Sequence, residues 1–260
     1  MSTTRRLMAR SVRTLSPAIA GVIFIVLWEV LILIFDVQKF LLPAPSAIAE
    51  AFGSKWSTIL QVSWVTIQAV LLGMLLGTGG GILVAYLVSK NESVSGPLLV
   101  IATALNCAPI IALAPIANNW FGLTSIISKA SIAGLMVFFP VLVNCTRGLM
   151  LIQPLHRDVM TSYASSDNEL VRYVRIPNAL PYLFSALRLG ASLSVIGVIV
   201  AEYFGGPVKA LGVFIGYEAA LSRFDSAWAG IIVASAMGLS LLGIVGLIER
   251  LTMPSARNSS

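Results

Sequence analysis

The chain contains long segments that are almost unbroken runs of apolar residues, such as Gly21–Ile34 and Ile231–Ile248. Only 11% of its residues are charged, against roughly 25% in an ordinary soluble domain, and this leaves too few charges to coat a soluble globule. Lipid must therefore solvate much of the outside. In lipid, only helices and closed barrels satisfy their own backbone polar groups, and barrel strands alternate apolar with polar residues. The pattern therefore predicts an all-α membrane protein.

A spanning helix needs about 20 mostly apolar residues, and six stretches meet that requirement. We expect about six transmembrane helices in a membrane domain over residues 17–250, with a cytoplasmic N-terminal segment over 1–16 and a cytoplasmic tail over 251–260. The third stretch contains Asn106, Pro109 and Pro115, so we expect it to be kinked or broken. The six stretches are Pro17–Phe35, Val65–Val88, Pro97–Ile116, Ile126–Val143, Tyr182–Val200 and Trp228–Ile248.

The distribution of basic residues predicts the orientation. With the N-terminus inside, eleven Lys and Arg residues fall on the inner side and four on the outer side, with Lys129 and Arg188 left out because they lie near helix ends. The positive-inside rule then places both termini in the cytoplasm. The basic residues stand singly between apolar spans, so the net charge of +6 does not indicate a nucleic-acid partner.

The longest stretch outside the predicted spans, Asn144–Pro181, falls on the inner side between the fourth and fifth helices. Ser166 and Glu169 match a capping box that begins a short helix running toward Pro177. Because Ile176 precedes a proline, we expect the chain to turn there before the fifth span. An earlier short helix has one apolar face, formed at helical spacing by Leu155, Val159, Met160 and Tyr163. That face either docks against another protein or packs on the inner surface of the bundle.

The residues from Arg172 to Pro181 resemble the end of the cytoplasmic signature loop of binding-protein-dependent ABC importer permeases. That loop reads Glu-Ala-Ala, three residues, Gly, nine residues, Ile, one residue, Leu-Pro. Aligned on Ile176 and Pro177, this chain has Val174 at the family's Ile and Ala164 at its Gly. The Glu-Ala-Ala positions are occupied by Asp158, Val159 and Met160.

Further motifs extend the resemblance from Leu41 to Ile248. Leu41–Ser46 looks like the family's Leu-Pro-Ser-Pro element after the first span. Trp120–Gly122 and Phe138–Asn144 look like the subfamily that moves nitrate, sulfonates, taurine, thiamine-precursor pyrimidines and riboflavin.

This resemblance implies the permease subunit of an ATP-driven importer in the bacterial inner (cytoplasmic) membrane, working by alternating access. It implies an ABC ATPase dimer, an extracytoplasmic solute-binding protein and a second permease copy, for which we expect a homodimer. The sequence contains no Gly-x-x-x-x-Gly-Lys-[Ser/Thr] phosphate loop. We therefore expect no catalytic site and no cofactor in this chain, with ATP and Mg on the partner ATPase. His156 is the single histidine, and we expect no metal site.

Two groups of site residues follow from the resemblance and from the polar residues of the spans. In the coupling loop, over about 145–181, we expect Met160 and Tyr163 to be seated in the ATPase. Polar residues inside a membrane often line a transport path, but each could instead form a hydrogen bond between helices. Glu202 could form a gate contact or anchor the outer end of its helix. The coupling residues are Asp158, Val159, Met160, Tyr163, Ala164, Ser166, Asp167 and Glu169. The path residues are Asn106, Cys107, Pro109, Asn118 and Glu202.

Two other functional classes are compatible with a membrane protein of this size. A self-sufficient secondary transporter or channel would need a relay of buried charges and often shows inverted repeats, and a membrane enzyme would need clustered catalytic groups. The sequence shows none of these. The predicted spans are nearly free of arginine, which favours a heteroaromatic solute such as a pyrimidine or riboflavin over a small anion such as nitrate or a sulfonate.

Overall fold

The computed structural model describes residues 3–106 and 108–253, and every regular element in these ranges is helical. This confirms the all-α fold. The helices are α1 (Thr3–Ile34), α2 (Pro45–Ser54), α3 (Trp56–Ser89), α4 (Glu92–Asn106), α5 (Ala114–Phe121), α6 (Ile126–Met150), α7 (Pro154–Ser162), α8 (Asp167–Leu170), α9 (Ile176–Tyr203), α10 (Leu211–Ala220) and α11 (Phe224–Thr252). A 3-10 turn over Ile110–Leu113 and a π-helical turn over Val171–Arg175 complete the regular structure of the described residues.

Among the described residues, four helical stretches are long and apolar enough to cross a membrane: α3, α6, Asp167–Tyr203 and α11. They correspond to the second, fourth, fifth and sixth predicted spans. Among the shorter apolar helices, Ile19–Ile34 lies inside the first predicted span, and Ser93–Asn106 overlaps the third. A further apolar helix, Leu211–Ala220, was not among the predicted spans. A bundle of membrane helices is therefore shown, while the count of six stays a prediction.

The third predicted span is broken, as its prolines indicate. Helix α4 ends at Asn106, and α5 begins at Ala114 after the 3-10 turn. Pro109 has no N–H to donate and lies outside both helices, whereas Pro115 lies in the first turn of α5, where no N–H is needed.

The expected turn at Ile176 is wrong. Asp167–Tyr203 is one continuous helical stretch of 37 residues, and the Ile176 N–H donates to the Val171 carbonyl across the π-helical turn. Pro177 has no N–H, and its ring would crowd the carbonyl four residues earlier in a regular helix. We attribute the wider turn immediately before this proline to that conflict, since π turns absorb such local disruptions.

Helix α6 also runs past the predicted end of the fourth span, Val143, and ends at Met150. Cys145 and Leu149 are buried in a core that includes Ala179 of α9, so packing against α9 extends the helix into the stretch predicted as loop. Inside α6, Pro140 cannot donate a hydrogen bond, and the Asn144 side chain donates to the Pro140 carbonyl over 2.8 Å.

The chain divides into two compact units, the smaller comprising Met1–Ile59 and Ile215–Ile231. Within its described residues, the Glu29 carboxylate accepts hydrogen bonds from the Ser46 N–H (3.0 Å) and hydroxyl (2.7 Å). Lys55 and Glu218 form an ion pair at 2.7 Å. The acidic residue of the first predicted span thus finds its partner at the start of α2, which reduces the cost of a carboxylate near lipid.

The larger unit comprises Leu60–Phe214 and Ile232–Ser260. Its described core is built on α6 and α9, with Val137 and Val141 of α6 and Val198 of α9 fully buried. Helix α3 approaches α6 closely through two glycines: a Cβ on Gly73 would lie 2.6 Å from the Ala133 Cβ, and one on Gly77 would lie 2.8 Å from the Val137 Cβ. Small residues four apart allow such backbone contact between membrane helices.

We therefore predict that Gly77→Ala destabilises the protein, because the added methyl overlaps the Gly134 carbonyl and Val137. Overpacking of this kind typically costs about 1–3 kcal/mol. Gly79→Ala in the same helix is the matched control, because its methyl meets nothing within 4 Å. Thermal unfolding of the two purified variants measures the difference, and equal transition temperatures would contradict the packing.

Candidate functional site

Helix α7 presents the apolar face predicted from the sequence, and three of its four side chains are exposed. Leu155 is 66% exposed, Val159 45% and Tyr163 80%, while Met160 is partly buried. We call Leu155, Val159, Met160 and Tyr163 the α7 apolar face. Among the described residues of this single chain, the bundle does not cover the three exposed side chains. Docking of this face against another protein stays a prediction.

A tight C-terminal cap ends α7. The Ser165 N–H donates to the Met160 carbonyl (3.1 Å), and the Ala164 N–H donates to the Thr161 carbonyl (2.9 Å). This pair of bonds defines a Schellman motif, in which the first residue past the cap adopts a left-handed conformation that glycine prefers. Ala164 holds that position with φ +49°. It is also the residue that aligns with the family's glycine, so the conformation gives a physical reason for glycine at this point of the signature.

The predicted capping box at the start of α8 is confirmed. The Glu169 carboxylate accepts from the Ser166 N–H and hydroxyl, each at 2.8 Å, and the Glu169 N–H donates to the Ser166 hydroxyl oxygen. These hydrogen bonds, that of the Ser166 backbone foremost, lower the pKa of the exposed Glu169 carboxyl below its ordinary value. Asp158 and Asp167 are also exposed. Hydrogen bonds therefore hold the turn between α7 and α8 on both sides, and this segment has three exposed acidic side chains, Asp158, Asp167 and Glu169.

A group of buried polar residues lies elsewhere in the larger unit and contains two of the predicted path residues, Asn118 and Glu202. We call it the buried polar cluster, and its members are Thr66, Asn118, Ser128, Lys129 and Glu202. Glu202, at the end of α9, is 1% exposed. Its carboxylate accepts from the Gly212 N–H (2.8 Å) and from the Thr66 hydroxyl (2.9 Å), and Thr66 in turn accepts from the Leu211 N–H (2.9 Å). A Cβ on Gly212 would lie 2.7 Å from the Glu202 Cβ, so the close approach requires glycine.

Lys129 is the charged member of this cluster that sequence reasoning missed, and Thr66 and Ser128 were missed as well. Its side chain is 1% exposed although it belongs to α6, and its ammonium donates to the Asn118 amide oxygen (2.6 Å) and to the Leu123 carbonyl. The Ser128 hydroxyl donates to the same Asn118 oxygen (2.6 Å). The Asn118 amide nitrogen donates to the Gly205 carbonyl (3.4 Å), three residues after Glu202 in the chain. A lone lysine in the first turn of an apolar helix was the available signal.

The other predicted path residues are placed differently. Asn106 and Pro109 are exposed, next to the break between α4 and α5, and Cys107 lies outside the described residues. The structure thus brings Asn118 and Glu202 into the buried polar cluster and leaves Asn106 and Pro109 outside it. Assignment of all five residues to a transport path stays a prediction. Within the described ranges, no group of three His, Cys, Asp or Glu side chains could hold a metal ion.

Comparison with known proteins places these features in a family. Residues 69–253 match the family model described as binding-protein-dependent transport system inner membrane component. The formylaminopyrimidine transport permease protein ThiX of Halalkalibacterium halodurans is 30% identical, over 95% of this chain and 98% of its own. A probable ABC transporter permease of Haemophilus influenzae is 28% identical over 88% of this chain and 93% of its own. The riboflavin transport system permease protein RibX of Chloroflexus aurantiacus is 29% identical over 88% and 85%.

We predict that Ala164→Gly strengthens the cap of α7, because a non-glycine residue in the left-handed conformation costs roughly 1–2 kcal/mol. Hydrogen exchange of the Ala164 and Ser165 amides, which form the two capping bonds, is expected to slow by about tenfold. Ala164→Val is the opposing variant, since a branched Cβ makes that conformation worse. Unchanged exchange in both variants would mean that the strained cap does not form.

The family match extends over most of the chain, through the helices of the larger unit and the α7–α8 segment. The protein is an all-helical, multi-pass inner-membrane protein of the binding-protein-dependent transport family, a permease subunit of an ABC importer for a small solute.

Proposed function

We propose that the α7 apolar face is the surface through which a separate ABC ATPase drives this permease. The carrying observation is the exposure of Leu155, Val159 and Tyr163 on a helix whose end is fixed by a Schellman cap. Exposed apolar groups on a rigid element suit a pocket on a partner protein, where a few buried anchors supply most of the binding energy. Asp158, Asp167 and Glu169 form the solvated rim.

The continuous helix from Asp167 to Tyr203 supports a route for the movement. Its 37 residues span about 55 Å at 1.5 Å per residue, against about 30 Å for the hydrocarbon core. The helix therefore extends beyond the membrane, with the capping box of α8 at one end and Glu202 near the other. Displacement of the α7–α8 segment moves the whole helix from Asp167 to Tyr203. The hydrogen bonds of Glu202, near the other end of that helix, must then move with it or break. In this proposal Asn118 and Glu202 belong to the outer gate, and Asn106, Cys107 and Pro109 line the path.

The partners follow from the family. Binding-protein-dependent ABC permeases work with ATPase subunits and a solute-binding protein. We propose a homodimer of this chain in the importer, with lipid around it, and ATP and Mg on the ATPase. Counting the chains in the purified assembly by native mass spectrometry decides between two copies and a pair with a different permease.

For the substrate, we propose a heteroaromatic solute of the pyrimidine or riboflavin type. Two relatives are named for formylaminopyrimidine and riboflavin transport. Others are named for aliphatic sulfonates, taurine and nitrate, which makes a small anion the second candidate. The near absence of arginine from the spans favours the first class. Identification of the ligand of the cognate solute-binding protein distinguishes the two.

We predict that Lys209→Cys is labelled by a membrane-impermeant thiol reagent only from outside the cell. Lys209 is exposed, follows α9, and falls on the outer side when both termini are cytoplasmic. Tyr163→Cys on the α7 apolar face is the matched position and is expected to react only after the membrane is opened. Labelling of Lys209→Cys from the inside alone would reverse the topology.

We predict that Tyr163→Ala weakens ATPase association or uncouples hydrolysis from uptake, because it removes an anchor worth about 2 kcal/mol or more at the centre of the contact. Tyr173→Ala is the matched control, since Tyr173 is also exposed but lies outside the α7 apolar face. Uptake and ATPase activity in reconstituted vesicles, at equal membrane levels, measure both variants. Normal transport by Tyr163→Ala, or equal losses in both variants, would refute the docking surface.

A further inference from the structure

A polar cavity lies beside the α7–α8 segment, within the larger unit, and its three cationic residues have no role in the transport proposal. Its volume is about 430 Å³, which is in the usual range for small-ligand sites. The end of α3, α7, α8 and the π-helical turn all contribute to its lining. The polar lining residues used below are Tyr86, Ser89, Lys90, Arg157, Asp167 and Arg175.

The lining is predominantly cationic. Lys90, Arg157 and Arg175 supply three positive charges, and Asp167 supplies one negative charge. These residues come from sequence positions as far apart as Lys90 and Arg175, so the fold, and not a local basic run, brings the cations together. All three fall on the inner side when both termini are cytoplasmic. Basic pockets between helices on that side are typical sites for anionic headgroups.

Arg175 and Lys90 each contact a neighbouring residue at the edge of the cavity. The Arg175 Nη1 donates to the Ser89 carbonyl at 3.0 Å, and the Lys90 ammonium lies 4.7 Å from the centre of the Tyr86 ring. The Arg175 Nε is buried and has no acceptor among the described residues. A buried donor without a partner is costly. A guanidinium fixed in this way is prepared to bind an oxyanion, whose oxygens match its planar donors.

We propose that this cavity binds a phosphate-bearing anion, held by Lys90, Arg157 and Arg175. The bound phosphate bridges the end of α3 to α7 and the π-helical turn and thereby steadies the segment that carries the α7 apolar face. The anion is either the headgroup of an acidic phospholipid of the inner leaflet or free inorganic phosphate. None of the three cations is among the proposed coupling residues, so the site and the coupling surface are tested by different variants.

The test uses the assembled importer. One arm places it in nanodiscs of phosphatidylcholine with increasing phosphatidylglycerol, and the other adds inorganic phosphate in detergent. Native mass spectrometry and thermal shift follow binding in both arms. The site variant is Lys90→Gln with Arg157→Gln. The matched control is Arg147→Gln with Arg172→Gln, which removes the same charge from two exposed arginines that do not line the cavity.

We expect saturable binding by the unmodified importer and at least a tenfold loss of affinity in the site variant, with less than a twofold loss in the control. Saturation by phosphatidylglycerol but not phosphate identifies the lipid headgroup, and the reverse identifies the free anion. The proposal is wrong if neither probe binds saturably, or if the two double variants lose affinity equally. Normal uptake coupling in the site variant would leave the binding site standing but remove its steadying role.

Discussion

A polar group removed from water must find its partner within the protein, and this constraint shapes the chain at every level. It selects helices for the backbone, and it explains where the few interior polar side chains lie. Glu202 accepts hydrogen bonds from the Gly212 N–H and the Thr66 hydroxyl, and Lys129 donates to the Asn118 amide oxygen and the Leu123 carbonyl. Asn118 also donates to the Gly205 carbonyl, near Glu202 in the chain. Loss of the hydrogen-bond partners of either charged group would leave a buried charge without compensation, which is costly.

Features that depend on near neighbours in sequence could be predicted. Four of the apolar spans, the break in the third span and the Ser166–Glu169 capping box each follow from a rule that acts within a few residues, and each is present in the described residues. The turn expected at Ile176 also came from a local rule, and it failed. A proline disfavours a regular helix but permits a π-helical turn, and the sequence on either side does not distinguish these outcomes.

The buried polar cluster could not be assembled from the sequence because its bonds join distant positions. The Thr66 hydroxyl donates to Glu202 and accepts from the Leu211 N–H, and these partners are 136 and 145 residues away in the sequence. Lys129 was left out of the count of basic residues because it lies near a helix end. Its burial depends on Asn118 and on the chain between α5 and α6, whose path only the folded structure fixes. The residue types were visible, but their pairing was not.

Ala164 shows how a departure from a family pattern can keep the geometry of that pattern. The signature has glycine where α7 must end in a left-handed residue, and alanine holds the same conformation here at φ +49°. The two bonds of the Schellman cap, with Ser166 and Glu169 immediately after it, oppose the strain. A loop that transmits force must keep its shape when pushed, so a cap and a capping box on either side of one short turn have a mechanical consequence. In our proposal they make α7 and the helix from Asp167 to Tyr203 move together. The buried polar cluster lies near the far end of that helix, and its hydrogen bonds then determine how far the movement can proceed before they break.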